Sequence, residues 1–270
     1  MIESVLSLDD PRADLYRAIR DADLIRARNL FAAEGRLVVR RVAEDRRYRL
    51  HSLLLTPTAH AELAPALASI DPEVPVLIAS PPDLSAIAGY DVHRGCLALV
   101  HVPPPPPVDE LLARAGTLVV MEGVTNADNV GGVFRNAAAF GAGGVLLSPA
   151  CCDPFYRKAM RTSMAAVLRI PFARADESDW PGVLARVRRA GFAIVALTPR
   201  EPSETLDAFS ARARPGKLAL VVGTEGSGLT PAVESAADYR VRIPISGDVD
   251  SLNVAVATGI ALYELTKDRP

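Results

Sequence analysis

The sequence has few cysteines, few aromatic residues and no long hydrophobic run. Two of its three cysteines, Cys151 and Cys152, are adjacent, which gives neither the C-x-x-C spacing of a zinc site nor an even-numbered disulfide framework. The longest apolar stretch, residues 254–265, is too short to span a bilayer, and the N-terminal sequence is acidic where a signal peptide would be basic. These features argue against secreted and membrane proteins and predict a cytoplasmic globular protein without a metal site.

A surplus of positive charge is also missing, because the net charge is −2 and the isoelectric point is about 6.1. Nucleic-acid binding uses clustered Lys and Arg, and two segments, residues 12–49 and 154–200, are locally basic. Either segment could form solvated helix faces or a nucleic-acid surface. The basic residues are Arg12, Arg17, Arg20, Arg26, Arg28, Arg36, Arg40, Arg41, Arg46, Arg47 and Arg49, then Arg157, Lys158, Arg161, Arg169, Arg174, Arg186, Arg188, Arg189 and Arg200.

Five consecutive prolines, Pro103 to Pro107, mark a domain boundary. Such a run is stiff and has no backbone donors, so residues 103–109 are predicted to be a linker. Residues 1–102 alternate β-like and helical segments and predict a small α/β domain. Its predicted strands are residues 50–55, 74–78 and 96–102, and its predicted helices are residues 35–43, 59–70 and 83–88.

Residues 110–270 predict a second α/β domain, built on a parallel sheet. Near-continuous apolar runs are typical of strands that are covered by helices on both faces. These runs occur at residues 117–121, 144–147, 193–197, 218–222 and 239–245. The alternation of such strands with helical segments favours a sheet of the parallel α/β class.

Three positions in this domain carry the signature of a helix start. Thr230 precedes a proline and is predicted to be an N-cap, and Asp179 occupies a similar position before Trp180. Ser251 is predicted to cap a last helix that runs to about Thr266.

Three polar loops with glycine follow predicted strands, at residues 126–136, 223–229 and 243–253. Ligands of parallel α/β sheets bind at the carboxyl ends of the strands, so the three loops predict one shared pocket. Each loop alone is also compatible with a tight turn and a helix cap. The glycines at 223, 226 and 228 do not have G-x-G-x-x-G spacing, and no P-loop lysine follows them, which argues against dehydrogenases and NTPases.

Together these segments read N-x-G-x-x-x-R, G-x-E-G-x-G-L and I-P-x-x-x-x-x-x-S-L-N, and the chain resembles the SpoU (TrmH) family of SPOUT methyltransferases. The segment Phe31 to Gly35 resembles the start of the N-terminal RNA-binding domain of that family. Thr224 departs from the pattern, because many relatives have Asn there, and this concerns substrate preference more than activity.

The resemblance implies a parallel-sheet methyltransferase domain with a C-terminal trefoil knot, preceded by the RNA-binding domain. It implies S-adenosylmethionine as the cofactor and an RNA ribose 2′-hydroxyl as the acceptor, more in line with ribosomal RNA than with tRNA. Cofactor binding is carried over to Gly223, Glu225, Gly226, Ile243 and Leu252. Glu225 could instead be a structural carboxylate of its loop.

Catalysis is carried over to Asn129, Arg135, Ser251 and Asn253. A guanidinium is not deprotonated in proteins, so Arg135 is interpreted as a fixed cation that binds phosphate and stabilises the developing alkoxide. Alternatively, Arg135 pairs with a carboxylate such as Glu122, and Ser251 only caps its helix. No histidine can be the base from within the catalytic domain, because His51, His60, His93 and His101 all precede it.

The resemblance also implies a homodimer through the catalytic domain, since the family pocket is completed by a neighbouring subunit. The apolar face predicted for the last helix consists of Val254, Ala257, Ile260, Ala261 and Leu265. Three other functions stay open: a tRNA 2′-O-methyltransferase, a SPOUT enzyme that modifies a base, and a catalytically weak RNA-binding homologue.

Overall fold

A computed structural model describes residues 2–4, 8–17, 19–92, 94–212, 215–247 and 251–267 of the chain. His93 and residues 248–250 of the third loop lie outside this part. None of the helices in the described ranges is long and apolar enough to cross a membrane.

The described residues form strands and helices that alternate along most of the chain. The strands are β1 (Ile2–Ser4), β2 (Leu30–Glu34), β3 (Leu50–Leu55), β4 (Val76–Ile78), β5 (Cys96–His101), β6 (Thr117–Glu122), β7 (Gly144–Leu147), β8 (Phe172–Arg174), β9 (Phe192–Leu197), β10 (Glu204–Thr205), β11 (Lys217–Gly223) and β12 (Tyr239–Arg242). The α-helices are α1 (Asp21–Arg28), α2 (Arg36–Glu44), α3 (Pro57–Leu67), α4 (Pro81–Ala88), α5 (Val108–Arg114), α6 (Ala127–Ala139), α7 (Arg157–Thr162), α8 (Val183–Arg189), α9 (Leu206–Arg212), α10 (Pro231–Ala236) and α11 (Val254–Thr266). Short 3₁₀ turns occupy Pro11–Tyr16, Ala166–Leu168 and Glu177–Asp179.

The chain divides into two compact units. The first contains residues 1–104 and 155–168, and the second contains residues 105–154 and 169–270. The first crossing between units therefore lies inside the proline run. Residues 155–168 belong to the first unit, although a division at the prolines alone assigns them to the second domain. Phe155 stacks on Phe31 of β2 with ring centroids 4.6 Å apart, so this segment packs on the first sheet through apolar contacts. A single boundary along the sequence cannot assign such a segment to the first unit.

The first unit is built on a five-stranded mixed sheet in the order β1-β4-β3-β5-β2. β1, β4 and β3 are parallel, and β5 pairs antiparallel with both β3 and β2. Two of its helices start at side-chain caps: Thr56 accepts the Ala59 N–H at 3.2 Å before α3, and Ser80 accepts the Asp83 N–H at 3.3 Å before α4. The three strands predicted from the sequence are confirmed, with β4 two residues shorter at its start.

The second unit contains a seven-stranded sheet in the order β10-β12-β9-β11-β6-β7-β8, and every pairing in it is parallel. β6 is buried along its whole length because helices cover both faces of the sheet. The prediction of a parallel α/β sheet is confirmed. The trefoil knot implied by the family resemblance stays a prediction.

In this unit, the predictions for Asp179 and for the end of the last strand are wrong in detail. Asp179 does not cap α8: it ends a 3₁₀ turn, and its carboxylate accepts from Arg186 Nη1 at 3.0 Å instead of from the helix start, which lies at Val183. The strand predicted to continue to Ile245 ends at Arg242, because Pro244 has no N–H to offer to a neighbouring strand.

Helices α6 and α11 cross at a point where two glycines allow close approach. A Cβ added to Gly132 would lie 2.5 Å from the Ala255 Cβ, and one added to Gly259 would lie 3.1 Å from the Asn136 amide nitrogen. Asn136 Nδ2 donates to the Ala255 carbonyl at 2.6 Å across the same crossing. This packing fixes the position of α6 relative to the start of α11.

Candidate functional site

A cavity of about 420 Å³ lies in the second unit, at the carboxyl ends of β9, β11 and β12. Its walls come from the loops that follow these strands and from the start of α11. The lining residues are Leu197, Thr198, Pro199, Val222, Gly223, Thr224, Glu225, Gly226, Gly228, Arg242, Ile243, Ile245, Ser251, Leu252, Val254 and Ala257. All five residues predicted to bind cofactor are among them, and so is Ser251.

The second loop approaches its own continuation so closely that one position has to be glycine. A Cβ on Gly223 would lie 2.4 Å from the Gly228 carbonyl carbon and 2.6 Å from the Leu229 nitrogen, and both are backbone atoms. Gly226 and Gly228 have φ angles of 82° and 66°, which side-chain-bearing residues rarely adopt. The loop therefore presents backbone rather than side chains to much of the cavity.

Asn253 connects all three loops. Its Nδ2 donates to Asn129 Oδ1 at 2.8 Å and to Glu225 Oε1 at 2.8 Å. Asn129 is buried at the start of α6, whereas Glu225 and Asn253 are exposed. Three residues that the sequence places far apart are thus joined by one side-chain amide. Because Glu225 accepts from Asn253, it has the structural role left open from the sequence in addition to lining the cavity.

The prediction that Ser251 caps the last helix is wrong, because α11 begins at Val254 and Asn253 is its N-cap. Asn253 Oδ1 accepts the N–H groups of Ala255 and Val256 at 2.9 and 3.3 Å. Both amide hydrogens and the oxygen of Asn253 are therefore hydrogen-bonded within the chain, and no donor is left for a ligand. Ser251 is left as an exposed hydroxyl on the cavity wall.

Arg135 lies on α6 but is not brought to the cavity of its own chain. It is six residues after Asn129, which places it about 120° away around the helix axis. Its side chain is exposed and makes no hydrogen bond or ion pair within the described ranges. The alternative pairing with Glu122 is wrong: this buried carboxylate accepts from Thr230 N at 2.8 Å, Thr230 Oγ1 at 2.9 Å and Trp180 Nε1 at 3.2 Å.

None of the histidines that the structure describes lines this cavity. His51 and His101 lie in the first unit, where desolvation and, to a smaller extent, the positive charge of Arg49 lower the pKa of both imidazoles. His60 is in α3 of the same unit. Residues 105–154 and 169–270 contain no histidine, so the second unit has no imidazole base of its own.

A model of the SpoU rRNA methylase family matches residues 116–263, which span the seven-stranded sheet, the three loops and most of the last helix. The chain belongs to this family. Its SpoU relatives include a protein of Mycobacterium tuberculosis named an uncharacterized tRNA/rRNA methyltransferase, which is 39% identical over 98% of this chain and 92% of its own length. The family prediction made from the three motifs is confirmed.

Solved methyltransferase structures are similar to this chain over its full length. An rRNA methyltransferase from Sinorhizobium meliloti, solved with S-adenosylmethionine bound, has a TM-score of 0.83 at 27% identity, with 100% of this chain and 99% of that chain covered. A structure described as an RNA 2′-O ribose methyltransferase has a TM-score of 0.74 at 27% identity with the same coverage. The cofactor predicted from the sequence is the one that the first of these structures holds.

The part of the cavity that follows β9 was not predicted from the sequence. Leu197, Thr198 and Pro199 line it, yet their loop has no glycine motif to draw attention to it. The rule that ligands bind at the carboxyl ends of parallel strands applied equally to this strand, which was correctly predicted, and could have found the loop.

The basic segment at 154–200 is largely neutralised inside the protein. In the first unit, Arg157 pairs with Asp21 at 2.7 Å and Arg161 with Glu34 at 3.3 Å. Several arginines of the second unit are likewise engaged with carboxylates or carbonyls, namely Arg174, Arg186, Arg188 and Arg200. This favours the structural interpretation of that segment.

Proposed function

We propose that this SpoU methyltransferase transfers the methyl group of S-adenosylmethionine to a ribose 2′-hydroxyl of RNA, with ribosomal RNA as the substrate class. The observation that carries the proposal is the joining of Asn129, Glu225 and Asn253 beside the glycine-rich cavity, since it unites the three family motifs in one site. The similarity to the 2′-O ribose methyltransferase structure over the whole chain supports ribose as the acceptor.

The cavity suits the cofactor. Its volume of about 420 Å³ falls within the usual range of roughly 300–1,000 Å³ for small-molecule sites. Apolar walls from Leu197, Ile243 and Leu252 suit a purine base, and the exposed carboxylate of Glu225 suits the charged amino group of the cofactor. When bound, S-adenosylmethionine supplies a methyl group already activated on a sulfonium. The protein has to bind and orient both substrates and to stabilise the charge on the acceptor oxygen.

We assign contacts with the RNA substrate to Arg135 and Asn129. Arg135 is exposed without an ionic partner in the described part of the chain, so its planar guanidinium is free to hold a phosphate and to stabilise a developing alkoxide. Asn129 Oδ1 is occupied by Asn253, which leaves its Nδ2 to donate to an RNA acceptor. A phosphate oxygen or water then accepts the proton of the hydroxyl. Ser251, exposed on the cavity wall, positions that hydroxyl.

A homodimer would complete the site, because Arg135 does not reach the cavity of its own chain. The apolar face predicted for this purpose is mostly used internally: Val254, Ala261 and Leu265 of α11 are buried in their own unit. Ile260 of the predicted face is exposed, and it forms a stripe with Val256 and Tyr263; Val256, Ile260 and Tyr263 have 51%, 40% and 57% relative exposure. Their i, i+4, i+7 spacing places them on one face, which we assign to the partner subunit.

The first unit is the proposed RNA-binding domain. Arg40, Arg41 and Arg46 are exposed and have no ionic partner among the residues that the structure describes. A separate cavity of about 620 Å³ in this unit is lined by Arg36 and Arg94 together with hydroxyl-bearing and apolar residues. Arg36 pairs with Glu62 at 2.6 Å. The unpaired Arg40, Arg41 and Arg46 suit phosphate contacts, which provide most of the affinity of RNA-binding surfaces. An RNA substrate also suits the cytoplasmic location expected from the sequence.

Mapping of 2′-O-methyl positions in total cellular RNA, with and without the gene, tests the proposal. We expect one or a few sites in ribosomal RNA to lose methylation when the gene is deleted and to regain it on complementation. If only a tRNA lost 2′-O-methylation, the substrate would be tRNA and not ribosomal RNA. If a base methyl group were lost instead, the enzyme would methylate a base and not a ribose.

A further inference from the structure

The glycine-rich loop at 223–229 is held from outside the cavity by an arginine that belongs to none of the family motifs. Arg200 follows β9, and its guanidinium donates to two backbone carbonyls of the loop. Nη1 donates to the Leu229 carbonyl at 2.7 Å, and Nη2 donates to the Ser227 carbonyl. Arg200 does not line the cavity, so its contact is with the loop and not with a ligand bound there.

The peptide groups that Arg200 holds are also held on their other side. The N–H of the Ser227–Gly228 peptide donates to the Thr224 carbonyl at 3.1 Å. The N–H of the Leu229–Thr230 peptide donates to the buried carboxylate of Glu122 at 2.8 Å. Each peptide plane is therefore fixed at both its oxygen and its nitrogen, which leaves the loop little freedom to rotate.

A second buried carboxylate fixes the arginine itself. Glu234 of α10 has a side chain only 7% exposed and lies 3.3 Å from Arg200 Nη1. The same oxygen accepts from Thr198 Oγ1 at 2.7 Å, and Thr198 Oγ1 accepts the Arg200 N–H at 3.2 Å. Charge-assisted bonds of this kind are stronger than neutral ones. The loop after β9 and the glycine-rich loop, which form adjacent walls of the cavity, are thus joined through Arg200 and Glu234.

We propose that Arg200 is a positioning residue that orders the cofactor loop before the cofactor binds. The inference rests on the proposed function, because the loop must be the one that receives S-adenosylmethionine. A loop with glycines at positive φ is flexible when free, and fixing its carbonyls outward lowers the entropy lost on binding. Arginine suits the role better than lysine, because its planar fork reaches two carbonyls and a carboxylate at once.

Arg200→Ala, Arg200→Lys and a matched control test the proposal. Arg188 is the control, because it is equally exposed (47% against 46%), pairs with Asp238 and donates to the Ala236 carbonyl, away from the cavity loop. Binding of S-adenosylhomocysteine is measured by calorimetry, and exchange of the amide hydrogens of residues 223–230 is measured with and without that ligand.

We expect Arg200→Ala to raise the Kd for S-adenosylhomocysteine by about tenfold, which corresponds to about 1.4 kcal/mol. The KM for S-adenosylmethionine rises with it, whereas kcat at saturating cofactor stays within about twofold, because the bound cofactor restores the loop. Amide exchange of the loop is faster without ligand and returns towards the wild-type rate with it. Arg200→Lys is intermediate, and Arg188→Ala matches the wild type in all three measurements.

An unchanged Kd and unchanged loop exchange in Arg200→Ala would overturn the proposal, and so would equal effects in Arg188→Ala. Failure of the wild-type protein to bind S-adenosylhomocysteine would instead contradict the proposed function. The exchange rates of the ligand-free loop would still decide whether Arg200 orders it.

Discussion

Asn253 and Asn129 share a hydrogen bond of 2.8 Å between side chains that are 124 residues apart in the sequence. The donor also bonds to Glu225, and the oxygen of the same amide caps α11. One residue therefore sets the helix start, holds the carboxylate of the second loop and orients the buried amide of the first. Substitution of Asn253 can separate the effect of losing the Nδ2 donor from the effect of losing the Oδ1 acceptor.

Asn253→Asp keeps an N-capping oxygen but removes both donors and places a carboxylate against Glu225. Because aspartate is as good an N-cap as asparagine, we expect the melting temperature to change little. Turnover should fall about 10- to 100-fold, since Asn129 loses its partner and two like charges meet. Asn253→Ala, the matched variant, also loses the cap and should cost about 1 kcal/mol in unfolding free energy. If Asn253→Asp had the kcat/KM of the wild type, the hydrogen bonds of Asn253 to Asn129 and Glu225 would not be needed for catalysis.

Gly223→Ala tests the close approach within the second loop. The new methyl group would overlap backbone atoms of Gly228 and Leu229, so the loop has to shift. Overpacking of this kind costs about 1–3 kcal/mol, and we expect it to appear as a lower melting temperature and weaker S-adenosylhomocysteine binding. Gly216, at the other end of β11, has open space around its Cβ position and is the control. If both alanine variants bound the cofactor like the wild type, the loop would not form the cofactor site.

Variants of Arg135 test whether this residue is a catalytic cation or a structural one. Its side chain has no ionic partner in the described part of the chain, so Arg135→Ala should leave folding and cofactor affinity nearly unchanged. Single-turnover methylation should fall by about 10²-fold or more, as for loss of a preorganised charged donor. Arg135→Lys should rescue poorly, because lysine cannot hold a phosphate at two points. A lower melting temperature with an unchanged rate per folded enzyme would instead make Arg135 structural.

The exposed stripe of α11 tests the dimer. Ile260→Asp places a charge at the centre of the stripe formed by Val256, Ile260 and Tyr263, and burial of that charge in an interface would be strongly unfavourable. We expect light scattering to show a dimer for the wild type and a monomer with little activity for the variant. Leu37→Asp changes an exposed leucine of the first unit and should stay dimeric. A wild-type monomer at micromolar concentration would contradict the dimer.

Ligand stabilisation checks the cofactor independently of turnover. A ligand that binds only the folded protein raises its melting temperature with concentration. S-adenosylhomocysteine should do so, whereas NAD and ATP should not, because the loop at 223–229 has neither dinucleotide-binding spacing nor a P-loop lysine. Equal stabilisation by ATP would overturn the cofactor assignment.

Much of the second unit could be predicted from the sequence because its strands are buried on both faces. In β6, Leu118 to Met121 form an unbroken apolar run that is fully buried, and such runs have few alternative structures. The polar loops after these strands were identifiable for the same reason, since a break in an apolar run marks the edge of the sheet where ligands bind.

Other features depend on tertiary contacts that no local pattern encodes. Ser251 and Asn253 are both good caps by composition, and only the position of Val254 in the packed helix decides between them. The role of Arg200 depends on carbonyls 27 and 29 residues away. Residues 155–168 pack with the first unit through Phe155 and Arg157, although the chain enters this segment from the second unit.

Transfer of a labelled methyl group to RNA tests the central claim most directly. Purified protein, S-adenosylmethionine labelled in the methyl group and ribosomal RNA from a deletion strain are incubated together, and the RNA is digested to nucleosides. We expect label only in a 2′-O-methylnucleoside, at a site that resists alkaline cleavage because its 2′-oxygen is blocked. With Arg135→Ala we expect the initial rate of labelling to be lower by about 10²-fold or more. Label in a methylated base, or none in RNA although the protein binds the cofactor, would contradict the central claim.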